Sequence, residues 1–269
     1  MALINFDLKP IIGVVHLPPL PGSPHYRGNF EKIVRRALDD AKKLERGGVD
    51  AIIVENYGDK PYSVRVKDPL TIAAMSVIVK SIVEEVEIPV GVNLLRNSGP
   101  EALAIAYVTG ATFIRVNSYC ETRLAPEGIL EPVMREIELL RSRLTRRILV
   151  LADIDVKHSL PLTTSDIAYT AIECVERGNP DALIVTGSRT GSPPAPGEVA
   201  TVKRAIGKLP LLVGSGITVE NIDVYWNVAD GFIVGTYFKK GGVTTAQVDP
   251  NRVKIFMEKV QKLRSKQPK

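Results

Sequence analysis

Eight short β-branched runs alternate along the chain with longer amphipathic stretches, and this alternation limits the fold more than any other feature. The runs are Ile11–Val15, Ala51–Glu55, Val90–Asn93, Phe113–Val116, Ile148–Asp153, Ala182–Thr186, Leu211–Gly214 and Phe232–Val234. Each is short, apolar and followed by turn-forming residues, as expected of strands buried on both faces. Between them, Glu31–Arg46 places Ile33, Ala37, Leu38, Ala41 and Leu44 on one stripe. Thr71–Glu85 does the same with Ile72, Met75, Ile78, Val79 and Ile82, and Pro250–Arg264 with Val253, Phe256, Met257, Val260 and Leu263. That spacing predicts helices, the last opened by an Asp249 cap and Pro250 at its first position.

Strands that alternate with helices pair in parallel through right-handed crossovers. Eight of them favour closure into a (β/α)8 TIM barrel, because closure removes both exposed edges. The competing doubly wound open sheet needs a glycine-rich turn after the first strand. Here that turn reads His16-Leu17-Pro18-Pro19-Leu20-Pro21. At 269 residues, with no low-complexity linker, the chain is expected to be one domain spanning residues 1–269. Residues 265–269 are expected to be a disordered basic tail.

Composition narrows the function classes. The net charge of +5 includes that tail, and no run of five basic residues occurs, which argues against nucleic acid and is compatible with an anionic small molecule. Cys120 and Cys174 form no CxxC pair, so a thiolate zinc site is not expected; two free thiols would suit a reducing, cytoplasmic setting. Residues 1–10 carry neither a basic nor an apolar leader region, and no apolar run reaches the length of a membrane span. Barrels of this class commonly self-associate, so a homo-oligomer is expected.

Helix-to-strand connections are brief, whereas strand-to-helix connections such as His16–Gly28, Asn56–Lys67, Asn117–Gly128, Ile154–Thr164 and Gly187–Pro196 are long and polar. The elaborated end is the face on which a barrel builds its site. The strand tips converging there are His16, Glu55-Asn56, Asn93, Asn117, Asp153 and Thr186. Glu55 and Asp153 are candidate general bases, or with His16 could hold a divalent cation such as magnesium. Asn93 and Asn117 could steady developing negative charge. Lys157, just past the fifth strand, could be a charge partner or, if desolvated, an imine-forming amine. Arg115, inside the fourth strand, needs an anionic partner, and Asp153 on the neighbouring strand is the natural one.

The last two strands run into Gly214-Ser215-Gly216-Ile217-Thr218 and Gly235-Thr236. Glycines let the backbone approach an anion closely, and this fold frequently builds its phosphate site from these two loops. Arg189, in the loop Gly187–Ser192, could close on the same phosphate bidentately.

Several segments resemble the BtpA family. The opening Gly13-Val14-Val15-His16-Leu17-Pro18-Pro19-Leu20-Pro21-Gly22-Ser23-Pro24 is its most specific match, followed by Glu55-Asn56-Tyr57-Gly58-Asp59-Lys60-Pro61-Tyr62. Val92–Asn97, Asp153–His158, Val185–Gly187 and Gly214–Ile217 continue it over nearly the whole chain. The resemblance implies a barrel of the ribulose-phosphate-binding type. A family member is associated with photosystem I biogenesis, which implies an alternative: a non-enzymatic assembly or regulatory factor, with peripheral membrane association. The residues themselves favour an enzyme, an isomerase, epimerase or lyase acting on a sugar phosphate or similar metabolite. In the alternative, the apolar tip Leu17–Leu20 is the candidate partner contact. Hydrolysis of nucleoside phosphates ranks last, since no GxxxxGK[ST] loop is present.

Overall fold

The computed structural model describes residues 3–162 and 166–266. Its eight parallel strands are β1 (Ile11–His16), β2 (Ala51–Glu55), β3 (Val90–Asn93), β4 (Phe113–Val116), β5 (Leu149–Ile154), β6 (Ala182–Val185), β7 (Leu211–Val213) and β8 (Gly231–Val234). They close in sequence order, with β8 against β1. The helices are α1 (Phe30–Arg46), α2 (Pro69–Glu85), α3 (Gly99–Thr109), α4 (Met134–Arg141), α5 (Ile167–Gly178), α6 (Pro196–Ile206), α7 (Ile222–Tyr225) and α8 (Pro250–Arg264). Asp249 caps α8 by accepting from Asn251 N, as the sequence predicts. Of the expected tail, Ser265 and Lys266 continue α8 as a turn, and residues 267–269 lie outside the described residues.

The two-residue period of a strand sorts the core into two clusters. Ile11, Val15, Ile52 and Val54 face the helices. Ile12, Val14, Ala51, Ile53, Phe113, Leu149, Leu151, Ala182, Ile184, Leu212 and Ile233 fill the barrel, and Ile4 and Phe6 pack against them from before β1. Gly91 is required here, because a Cβ on it would lie 2.2 Å from the Phe113 ring. Continuing the inward rows by two residues gives His16, Glu55, Asn93, Asn117, Asp153, Thr186, Gly214 and Gly235. Register aligns three of these side by side: His16 pairs with Glu55, and Glu55 with Asn93.

Two expectations fail. Cys120 and Cys174 are joined by a disulfide that ties the loop after β4 to α5, so they are not free thiols. Their 54-residue separation hides the contact from the sequence. The tip Leu17–Leu20 is not a partner surface, since Leu17 and Leu20 are buried. The Asp59 carboxylate accepts from Leu20 N at 2.7 Å, and Gly58 packs on the Pro18–Pro19 backbone. The long loops after β4 and β5 carry a small sheet not predicted from the sequence. Arg123–Ala125 pairs antiparallel with Gly128–Leu130 on one side and Leu160–Pro161 on the other. Thr163 and Thr164, at the end of the predicted loop Ile154–Thr164, lie outside the described residues.

Candidate functional site

A cavity of about 380 Å³ opens at the carboxyl ends of the strands. Its volume suits a small metabolite. The predicted residues His16, Glu55, Asn93, Asn117, Lys157, Gly214, Ser215, Gly216, Gly235 and Thr236 all line it. Two do not. Asp153 is fully buried beneath the floor, where Arg115 grips it with Nε and Nη2, both at 2.9 Å. Asn117 Nδ2 donates to the same carboxylate at 2.8 Å. Arg189 is exposed and lines a neighbouring groove, while Thr190 and Gly191 from its loop reach the cavity.

The expected pairing of Arg115 with Asp153 is therefore present, and it assigns the two residues different roles. Burial works against the Arg115 charge, but the Asp153 carboxylate outweighs it and holds the guanidinium above its ordinary pKa. Arg115 faces the cavity, and a Cβ on Gly214 would lie 3.5 Å from its Nη2. Asp153, with both oxygens engaged, orients that cation.

Glu55 keeps a freer carboxylate. Asn93 Nδ2 donates to Oε2 at 2.7 Å, and His16 Nε2 stands 3.9 Å from Oε1. Burial, with Lys239, Lys157 and Arg115 nearby, pushes His16 well below its ordinary pKa, so the imidazole is neutral. The Glu55, Asp153 and His16 metal set does not assemble. Among the described residues no three His, Cys, Asp or Glu side chains converge to hold a metal ion. The reason is that Asp153 turns toward Arg115.

The opposite wall is built by glycine. Gly216 adopts φ +66°, and a Cβ there would lie 2.2 Å from Pro193 N. Gly235 lets His16 pack against it; a Cβ would meet His16 Cε1 at 2.8 Å. In the first of these loops Ser215 Oγ is buried without a hydrogen-bond partner, as are Asn117 Oδ1 and Glu127 Oε2 of the same cavity lining. Buried polar atoms are normally satisfied, so three unpaired ones around one cavity mark a wall shaped for a polar ligand.

Sequence reasoning missed the mouth as a binding element. Tyr57, Lys60, Tyr62, Arg96 and Glu127 line it from loops, beyond the strand period that located the tips. Arg96 is 4% exposed, and its Nη2 donates to the Lys157 carbonyl. Lys60 Nζ sits 4.2 Å above the Tyr57 ring. The matched segments Glu55–Tyr62 and Val92–Asn97 were the available signal. No helix among the described residues is long and apolar enough to cross a membrane.

Comparison with known proteins agrees with this architecture. The phosphoribosyl anthranilate isomerase of Thermus thermophilus superposes with a TM-score of 0.58 at 12% identity, covering 94% of this chain and 99% of that one. The likeness shows the TIM-barrel fold. A Pyrococcus horikoshii protein described as uncharacterized is 46% identical over 261 residues, 97% of this chain and 99% of its own length. The photosystem I biogenesis protein BtpA of Synechocystis is 39% identical over 250 residues, 93% of this chain and 87% of its own. The BtpA family model matches residues 7–262, and the chain belongs to the BtpA family.

Proposed function

We propose that this chain is an enzyme that anchors a phosphorylated small molecule and moves a proton on it, an isomerase, epimerase or lyase of a sugar phosphate or similar compound. The observation that carries the reading is the buried, unpartnered Ser215 Oγ in the Gly214–Gly216 loop, which lines the cavity together with Gly235-Thr236. A phosphate there accepts from the hydroxyl and backbone N–H groups, with the Arg115 guanidinium close to Gly214. Glu55 is the proton acceptor, held by Asn93. Neutral His16 faces the same space and can donate to developing oxyanion charge, whereas Asn117 spends its Nδ2 on Asp153.

The test is a thermal-shift titration with inorganic phosphate and sugar phosphates. A ligand at one hundred times its dissociation constant adds about 2.7 kcal/mol of stability. Ser215→Ala should leave the free protein intact and weaken phosphate affinity about tenfold, in line with loss of one charge-assisted hydrogen bond. Unchanged affinity in that variant would remove the anchor. Gly216 is unsuitable for this purpose, because any side chain there strikes the Ser192–Pro193 backbone.

One observation favours a second reading, the assembly role suggested by the name of the Synechocystis relative. On the small sheet Leu124 pairs with both Ile129 and Leu160. These three side chains are 46%, 53% and 68% exposed. They form an apolar face suited to a protein contact. Capture of partners that survives both Leu124→Asp and Leu160→Asp would remove this reading.

A further inference from the structure

The cavity holds a lysine whose surroundings suit covalent rather than ionic chemistry. Lys157 lines the cavity and, among the described residues, its Nζ has no carboxylate within 4.0 Å and no hydrogen-bond acceptor. Its backbone is fixed on both sides. Lys157 N donates to Thr186 Oγ1 at 3.1 Å, and its carbonyl accepts from Arg96. Two non-glycine residues in the left-handed region bracket it, Asp155 at φ +49° and His158 at φ +59°. Such conformations cost about 1–3 kcal/mol each and persist only where surrounding contacts impose them. Here Glu121 accepts from Asp155 N, the Asp155 carboxylate pairs with buried Arg123, and His158 Nε2 meets Thr190 Oγ1 at 3.1 Å. A solvated surface lysine needs none of this.

We propose that Lys157 is the covalent amine of this site, condensing with the carbonyl of a phosphorylated aldehyde or ketone to form an imine. The proposal rests on the phosphate-anchored reading above and narrows its substrate to carbonyl compounds. In the step, the neutral amine's lone pair forms the N–C bond while the carbonyl π pair moves to oxygen, which takes a proton. The carbinolamine then loses water, so one C=O and one NH2 become one C=N and one H2O. Once protonated, the imine accepts the electron pair of the adjacent C–H bond as Glu55 removes that proton, giving an enamine. Burial and the Arg115 charge lower the Lys157 pKa to about 8, which keeps part of the amine neutral near neutral pH.

Lys239 is the internal contrast. Burial lowers it to about 8 as well, but it is 0% exposed and its Nζ donates to Val14 O at 2.7 Å. A low pKa alone therefore does not make a reactive amine; access to the cavity and a free lone pair do.

The experiment incubates the whole chain with dihydroxyacetone phosphate or with phosphate-free dihydroxyacetone, adds sodium borohydride, and maps the reduced adduct by peptide mass. The expected result is one adduct on Lys157 with the phosphorylated probe, formed faster as pH rises through about 8. Lys157→Arg, checked for native melting, should lose it. An adduct on Lys157 with both probes alike keeps the imine and overturns the phosphate anchor. No adduct from a protein that inorganic phosphate still stabilises overturns the imine and leaves the anchor standing. Labelling spread over surface lysines, or unchanged in Lys157→Arg, also overturns it.

Discussion

The two ends of the barrel treat their polar groups in opposite ways. At the amino-terminal end, Asp50, Asp181 and Asp230 stand in the short turns before β2, β6 and β8. Each carboxylate accepts from a backbone N–H at the start of a neighbouring strand: Ile11 at 2.7 Å, Val150 at 2.8 Å and Leu211 at 2.9 Å. Each aspartate's own N–H donates to the carbonyl of the same residue. Each also meets a cation: Arg264 for Asp50, Arg141 and Arg147 for Asp181, Lys203 for Asp230. At the carboxyl-terminal end, Asn117 Oδ1, Glu127 Oε2 and Ser215 Oγ are buried without partners, and Lys157 forms no ion pair within 4.0 Å among the described residues. One end uses its polar groups to hold strands in place, and the other keeps them available for a ligand. That division is expected when stability and function occupy opposite faces.

Asp181→Ala tests the stabilising end and carries the largest expected effect. It leaves the Val150 N–H without its side-chain acceptor and Arg141 and Arg147 without their shared carboxylate. The loss should be about 3 kcal/mol in ligand-free denaturant unfolding, with phosphate affinity unchanged. Asp50→Ala and Asp230→Ala should cost less, since those side chains are 22% and 28% exposed against 9% for Asp181. Equal losses at all three, or a fall in phosphate binding, would break the division between the ends.

Lys157→Met tests the working end and should act in the opposite direction. The folded-state pKa is about 8 against 10.5 for an ordinary lysine. Below pH 8 the native protein carries a charge that its surroundings disfavour, so the substitution should raise the melting temperature at pH 7. Between pH 8 and 10.5 the native amine is neutral while the unfolded chain still binds the proton, and wild-type stability rises with pH. The variant lacks that rise, so its advantage should disappear by pH 10.5. A melting advantage independent of pH would show that packing, not charge, separates the two proteins.

The barrel was legible because its signal is periodic. Strand runs spaced by amphipathic helices need no tertiary information, and extending each inward row by two residues reaches Glu55, Asn93 and Asn117 directly. The sequence also pairs Asp153 with Arg115, but its place on the inward row still makes it a candidate base; only the fold shows that Arg115 takes both its oxygens and Asn117 adds a third bond. Arg96, Lys60 and Glu127 sit on loops whose paths no period specifies. The strands at Arg123–Ala125 and Gly128–Leu130 have three residues each, too few to show alternation. Leu17–Leu20 is apolar whether it meets a partner or its own protein, and only the distant Asp59 decides.

Thr112→Val carries the smallest expected effect and examines the exception within the stabilising end. Thr112 occupies, before β4, the place held by aspartate before β2, β6 and β8, and its N–H donates to Val90 O at 2.8 Å in the same way. Its side chain does not complete the pattern: Oγ1 is buried with no partner. The backbone bond survives the substitution, and a methyl replaces a hydroxyl that gains nothing from burial. Stability should stay within about 1 kcal/mol of wild type, on the stabilising side. A loss larger than that in denaturant unfolding would mean that Thr112 Oγ1 has an acceptor or donor of its own, making the fourth turn a working copy of the other three.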